Sequence, residues 1–206
     1  MIGIVDYGMG NLYSLGKALE RLNCPHEFVA APERLAAYGG IILPGVGAFA
    51  DAMNNIRELG LLAAIREYAE SGKPLLGICL GMQLLFSSSE EHGCNEGLGL
   101  LAGKAARFCG ELKIPHMGWN QLQLKAPKHP LLQGLADGEY VYFVHSYHVC
   151  VDDPGDLLAV TDYGHEVTAI VGRANIYGMQ FHPEKSGETG MRLLQNFAKQ
   201  CEGVLL

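Results

Sequence analysis

The sequence predicts an α/β fold: a sheet with a parallel core and antiparallel additions, covered by helices on both faces. Three observations carry this. Through the first half, short apolar runs alternate with amphipathic helical stretches, the pattern of parallel strands joined by crossover helices. The second half holds many strand-like runs separated by turn residues rather than long helices, which suits antiparallel pairing. The chain has 206 residues, 49% hydrophobic and 18% charged, and no Pro/Gly/Ser-rich linker, repeat or low-complexity tract. One domain spanning 1–206 is expected. A chain of this size buries roughly 70% of its unfolded surface and needs no metal or disulfide to hold a core.

The elements follow in order. Ile2–Val5 is a short buried run, and Leu12, Leu15, Leu19 and Leu22 then recur at helical spacing. Glu27–Ala30 reads as a strand, and Gly40–Pro44 as a second buried run ending on Pro-Gly. Ala48–Leu59 and Leu61–Ser71 read as amphipathic helices. Lys73–Cys79 is a third core strand, running at once into a helix over Leu80–Phe86. Beyond it, 104–108, 121–125, 139–145, 157–161, 167–173 and 176–182 are strand-like, and a last amphipathic helix spans Glu188–Cys201.

Several function classes drop out. The net charge of −7 argues against a nucleic-acid or anionic-membrane surface, either of which wants a basic patch. No stretch is apolar for long enough to span a bilayer. The N-terminus runs straight into a core strand with no secretory signal, so a cytoplasmic location is expected. Cys24, Cys79, Cys94, Cys109, Cys150 and Cys201 are scattered without a CxxC pair, which favours thiols over disulfides.

Three motifs carry chemistry. Gly77-Ile-Cys79-Leu-Gly81, between a strand and a helix start, is the thiol counterpart of a nucleophile elbow. The tight turn crowds the backbone, so its flanks want glycine, and it lifts Cys79 to the end of the sheet beside a helix N-terminus that favours thiolate. Taken alone, the motif is as consistent with a buried structural cysteine. Gln180-Phe-His182-Pro-Glu184 supplies a base and its orienter. In extended backbone, i and i+2 share a face, so Glu184 can hold one imidazole nitrogen of His182 and leave the other for the thiol. Pro44-Gly45-Val46-Gly47 ends another strand, and two glycines around one residue let N–H groups turn toward developing charge, as in an oxyanion hole. Neither this loop nor Gly8-Met-Gly10 completes a dinucleotide fingerprint, and no Walker sequence occurs. His145 and His148, three apart in a strand, should face opposite ways and make poor co-ligands. His116, His129 and His165 show no partner in the sequence, and Trp119, the only tryptophan, reads as core or as an exposed anchor. Neither metal nor cofactor is expected.

The segments 77–83, 44–49 and 181–186 resemble the class I, triad-type glutamine amidotransferases. Segments 6–11, 115–120 and 142–147 resemble the branch of that family serving imidazole glycerol phosphate synthesis. The resemblance implies a flavodoxin-like sheet and hydrolysis of glutamine to glutamate and ammonia, with Cys79 as nucleophile, His182 as acid and base, and Glu184 as orienter. It implies an oxyanion hole from Leu80 and the Val46–Gly47 segment. Gly47, Gln83, Glu91, Ser146 and Tyr147 would bind the amino-acid end of glutamine, Glu91 supplying charge for the ammonium. The implied partner is a (β/α)8-barrel cyclase subunit in a heterodimer, met by Asn11, Trp119, Tyr142 and Lys185. The rival readings are a subunit of another amidotransferase, serving pyridoxal phosphate, anthranilate or carbamoyl phosphate synthesis, and a non-catalytic thiol sensor on the same fold. The His182–Glu184 pair speaks against the sensor, which needs a reactive thiol but no oriented base.

Overall fold

The computed structural model describes residues 1–108 and 112–202, so Cys109 lies outside the described residues. In chain order the elements are β1 (Ile2–Val5), α1 (Leu12–Arg21), β2 (His26–Val29), β3 (Gly40–Gly45), α2 (Phe49–Glu58), α3 (Leu61–Glu70), β4 (Leu75–Cys79), α4 (Leu80–Leu84) and β5 (Phe86–Ser89). Then come β6 (Asn95–Glu96), β7 (Leu101–Arg107), β8 (His116–Gln121), β9 (Gln123–Leu124), β10 (Tyr140–His145), β11 (Tyr147–Val151), β12 (Leu157–Asp162), β13 (Glu166–Arg173), β14 (Ile176–Met179) and α5 (Gly187–Glu202).

The main sheet has eight strands in the order β2-β1-β3-β4-β14-β13-β12-β9. The five from β2 to β14 run parallel, and β13, β12 and β9 continue the sheet antiparallel. This is the expected parallel core with antiparallel additions. Strands β1, β3, β4 and β14 are buried at every residue, which is why they read as unbroken apolar runs rather than alternating ones. Two apolar layers sandwich the sheet. Leu15 and Leu19 of α1 pack with Leu193, Leu194 and Phe197 of α5 on one face, while Phe49 and Ile56 of α2, Ile65 of α3 and Met82 of α4 fill the other.

Two local expectations change. The helix after Cys79 closes at Leu84, short of Phe86, because the carbonyls of Leu84, Leu85 and Phe86 accept from the N–H groups of Leu98, Leu100 and Gly99. Those bonds start a smaller sheet, β11-β7-β5-β6. The chain also makes two strands on either side of Ser146. β10 pairs with β8, and β11 pairs with β7 in the other sheet, so the chain changes sheets at Ser146. Among the described residues, no helix is long and apolar enough to cross a membrane.

Candidate active site

Register assembles the site. In the parallel trio β3-β4-β14, Gly45 lies opposite Cys79, and Ile78 lies opposite Met179. The three strands therefore stop at one level, and the segments that follow them open together at the carboxyl edge of the sheet, where open α/β sheets bind ligands. The Pro44–Gly47 loop, the Cys79 elbow and the Gln180–Glu184 segment are neighbours in space because of this alignment.

Cys79 sits at φ 56°, ψ −112°, a conformation that side-chain-bearing residues rarely adopt. The flanking glycines make the turn feasible. A Cβ at Gly77 would lie 2.6 Å from the Gly81 carbonyl oxygen, and one at Gly81 would lie 1.8 Å from that of Leu43. The elbow thus presses directly on β3, and the side chain of residue 79 is turned toward the cleft.

That cleft has a cavity of about 360 Å³, within the usual range for small-ligand sites. Val46, Gly47, Cys79, Leu80, Gln83, Glu91, Ser146, Tyr147 and His182 all line it, so the structure brings these nine candidate residues to one cavity. His182 Nδ1 lies 2.9 Å from Glu184 Oε1, and both side chains are almost wholly buried. Glu184 is set by the turn Pro183–Lys185, whose first residue fixes the backbone. Burial pushes the His182 imidazole down, but hydrogen bonds to Cys79 and to Glu184, with their negative charge, outweigh it and raise the group to about 10. Nδ1–H donates to the carboxylate, so Nε2 is the nitrogen left for the thiol. An imidazole that holds its proton beside a sulfur nucleophile is what such chemistry needs.

Gly47 holds φ 99°, which glycine adopts freely, and Val46 beside it is exposed. Leu80 is the first residue of α4, so its N–H has no acceptor within the helix. Glu91 has two tasks: Oε2 accepts from the backbone N–H of Phe49 at 2.7 Å, anchoring the start of α2, while the side chain also borders the cavity. The sequence indicates its charge but not this anchor.

The four residues expected at a partner boundary divide. Trp119 and Tyr142 are opposite residues of the β8–β10 ribbon, with ring centroids 6.0 Å apart and Trp119 exposed. Lys185 is exposed one residue past Glu184, and Asn11 lines a small crevice with Gly45, His182 and Glu184. Sequence reasoning missed Met117 and Tyr140, which share the outer face of the ribbon and are also exposed. Alternation along the two strands was the signal that marked them.

The histidines also depart from expectation. Because the strand breaks at Ser146, His145 and His148 both pack on Phe108, with centroids at 5.2 and 4.7 Å, instead of facing apart. His165 joins the same cluster. His116 has a partner after all: its Nδ1 lies 3.0 Å from His145 Nε2. Burial drives His116 down to about 4 and, with nearby histidines adding to it, His145 down to about 3. Among the described residues, no group of three or more His, Cys, Asp or Glu is placed to hold a metal.

Residues 3–201 match the family profile described as glutamine amidotransferase class-I. The chain is similar to the imidazole glycerol phosphate synthase subunit HisH of Geobacillus sp. (strain WCH70), at 56% identity over 98% of each chain. It is similar to the protein of the same name from Desulfitobacterium hafniense (strain DSM 10664 / DCB-2), at 54% identity over 97% of this chain and 94% of the other. Among solved structures, one described as a glutamine amidotransferase superposes with TM-score 0.78 at 22% identity over 98% of each chain. The structure of PurLQS from Thermotoga maritima superposes with TM-score 0.76 at 24% identity, over 96% of this chain and 97% of the other. These two establish the likeness of fold.

Proposed function

The chain belongs to the class I glutamine amidotransferase family, and from that premise we propose that it is the glutaminase subunit of an imidazole glycerol phosphate synthase, acting in histidine biosynthesis. It works as one amidotransferase domain in the cytoplasm, without cofactor or metal. The observation that carries the chemistry is the buried His182–Glu184 pair beside Cys79 at one cavity.

Glutamine enters with its ammonium toward the acceptor groups of Gln83 and Glu91 and its main-chain end along Gly47, Ser146 and Tyr147. The Cys79 sulfur attacks the side-chain amide carbon, and the carbonyl electron pair moves onto oxygen. N–H groups of Leu80 and of the Val46–Gly47 segment receive that oxyanion. On collapse the C–N bond breaks, and His182 gives its proton to the departing nitrogen, releasing ammonia and leaving a glutamyl thioester. His182, now neutral, takes a proton from water, whose oxygen attacks the thioester carbon. A second collapse releases glutamate and restores the thiolate–imidazolium pair. Glu184 keeps Nδ1 protonated throughout.

The ammonia passes to a (β/α)8-barrel cyclase subunit, which uses it to make imidazole glycerol phosphate and aminoimidazole carboxamide ribotide. The docking face is the carboxyl edge of the sheet: Asn11, Trp119, Tyr142 and Lys185, joined by the exposed Met117 and Tyr140. This arrangement is supported by the relatives' description as synthase subunits and by an aromatic strip on the ribbon next to the cavity.

The test is co-purification with the cyclase subunit, then glutamate release with and without the cyclase's nucleotide ligand. A glutamine-like chloroketone should label Cys79 and spare Cys24 and Cys150. Absence of glutamate release from the complex, or equal labelling of those thiols, overturns the assignment.

A further inference from the structure

We propose that Gln180, which the catalytic sequence above does not use, is a positioning residue that fixes the carboxamide of Gln83 for the substrate ammonium and at the same time donates to the Cys79 sulfur. The proposal rests on the function just given and deepens it.

The Tyr147 carbonyl oxygen can only accept. Two side-chain atoms reach it, one from His145 Nδ1 at 2.8 Å and one from Gln83 at 3.0 Å. The Gln83 atom must therefore be the amide nitrogen. Its second hydrogen goes to Gln180 at 3.1 Å, so the Gln180 atom facing it must be the oxygen. The Gln180 nitrogen is then the end that lies 3.9 Å from Cys79 Sγ, a long N–H···S contact. One backbone carbonyl thus dictates the orientation of two amides in sequence. With both hydrogens of Gln83 occupied, its oxygen is the end left for the cavity, where an ammonium requires an acceptor. A flipped Gln83 would offer hydrogens to that cation and be repelled.

The same carbonyl sets the histidines. His145 must donate from Nδ1, so its Nε2 accepts from His116 Nδ1, and His116 Nε2 accepts from Asn120 at 3.2 Å. Both rings stay neutral, and Tyr147 is held in place from both sides. Gln180 itself is wholly buried at the end of β14, with no path to solvent as a competing partner. The register that puts Met179 opposite Ile78 brings residue 180 alongside Cys79.

The experiment uses Gln180→Met, similar in length and without polar hydrogens, in the full chain with its cyclase partner. Two readouts separate positioning from plain structural support. One is KM for glutamine against kcat. The other is the pH midpoint for alkylation of Cys79 by iodoacetamide in the free subunit. The remaining titratable groups around the thiol are His182 with Glu184, Tyr7, His145 and Glu91, and none is altered by the substitution. The expected result is a KM raised about three- to tenfold, the worth of one misoriented hydrogen bond, and a midpoint raised by about half a pH unit or more, because a donor to the thiolate is gone. In a Gln83→Leu background, Gln180→Met should raise KM no further, since its effect on binding runs through Gln83. Unchanged KM and midpoint in a folded Gln180→Met chain overturn the proposal, as do KM effects that simply multiply. If Gln180→Met does not fold, Gln83→Met carries the test. It removes no hydrogen-bonding partner of the thiol, yet it unlatches Gln180, so an unmoved midpoint refutes the chain of contacts. Failure of the functional reading is distinct: the unsubstituted chain would then neither be labelled at Cys79 nor release glutamate.

Discussion

Replacing Glu184 by Gln tests what the carboxylate does for His182. The substitution keeps shape and removes charge. The imidazole rises from its ordinary 6.5 to about 10 through Cys79 and Glu184 together, against burial. That rise corresponds to about 5 kcal/mol of preference for the imidazolium. Shared between two partners, loss of one charge removes about 2 to 3 kcal/mol, or about 30- to 150-fold in rate if the imidazolium is needed at the transition state. This holds when the new amide turns its oxygen to Nδ1–H. The other carboxylate oxygen of Glu184 is buried with no hydrogen-bond partner among the described residues, so no second group fixes which end of an amide faces the ring. An amide turned the other way would place the proton on Nε2, pointing at the thiol, and a wrong tautomer costs about 10⁴. The assay is kcat for glutamate release by the complex, beside Cys79 alkylation against pH in the free subunit. Expected are a kcat between those two limits, above that of His182→Ala, and a high-pH limb of the alkylation profile that moves down. A Glu184→Gln variant as inactive as His182→Ala, or within threefold of the parent, would refute an orienting and charge-stabilising role.

Three further outcomes are expected. Cys79→Ala should abolish glutamine-dependent synthesis by the complex and leave ammonia-dependent synthesis intact, read as product formed from each nitrogen source. Lowering the pH should unfold the chain through His145 and His116, held neutral near 3 and 4: the unfolded chain binds the extra protons below 6.5, so stability falls by about 2 kcal/mol per group by pH 5. His182, raised instead, has its full contribution below 6.5 and gains about 1 kcal/mol between pH 7 and pH 5, which offsets only part of this loss. Urea midpoints at pH 7 and pH 5 check the trend, and a curve equally flat in the parent and in His145→Gln would contradict it. The free subunit should turn over glutamine about 10²- to 10³-fold more slowly than the complex carrying cyclase ligand, the worth of one oxyanion donor misplaced in the Val46–Gly47 loop. Gly47→Ala probes that loop by removing the freedom of φ 99°, whereas Gly45→Ala does not, because its Cβ would strike Tyr7 Oη at 2.6 Å and the Gly81 nitrogen at 2.8 Å. Comparable rates for subunit and complex would end the gating idea.

The sequence by itself determined the strand-helix alternation and the elbow glycines, because each depends on local chemistry: apolar runs where strands are buried on both faces, and glycine where backbones touch. It also marked His182 and Glu184 as a pair, but through the wrong local geometry: the strand ends at Met179, and a 3-10 turn over Pro183–Lys185, not extended chain, brings the carboxylate to the imidazole. What it left open were matters of partner choice between distant segments. The helix after Cys79 stops at Leu84 only because the 98–101 segment takes its carbonyls. The break at Ser146, which turns His145 and His148 to one aromatic cluster, exists because β10 and β11 pair into different sheets. Gln180 looked like an ordinary strand residue before His182. Its place between Gln83 and Cys79 follows from the alignment of β14 with β4, a long-range register that period-2 and period-3.6 patterns do not encode.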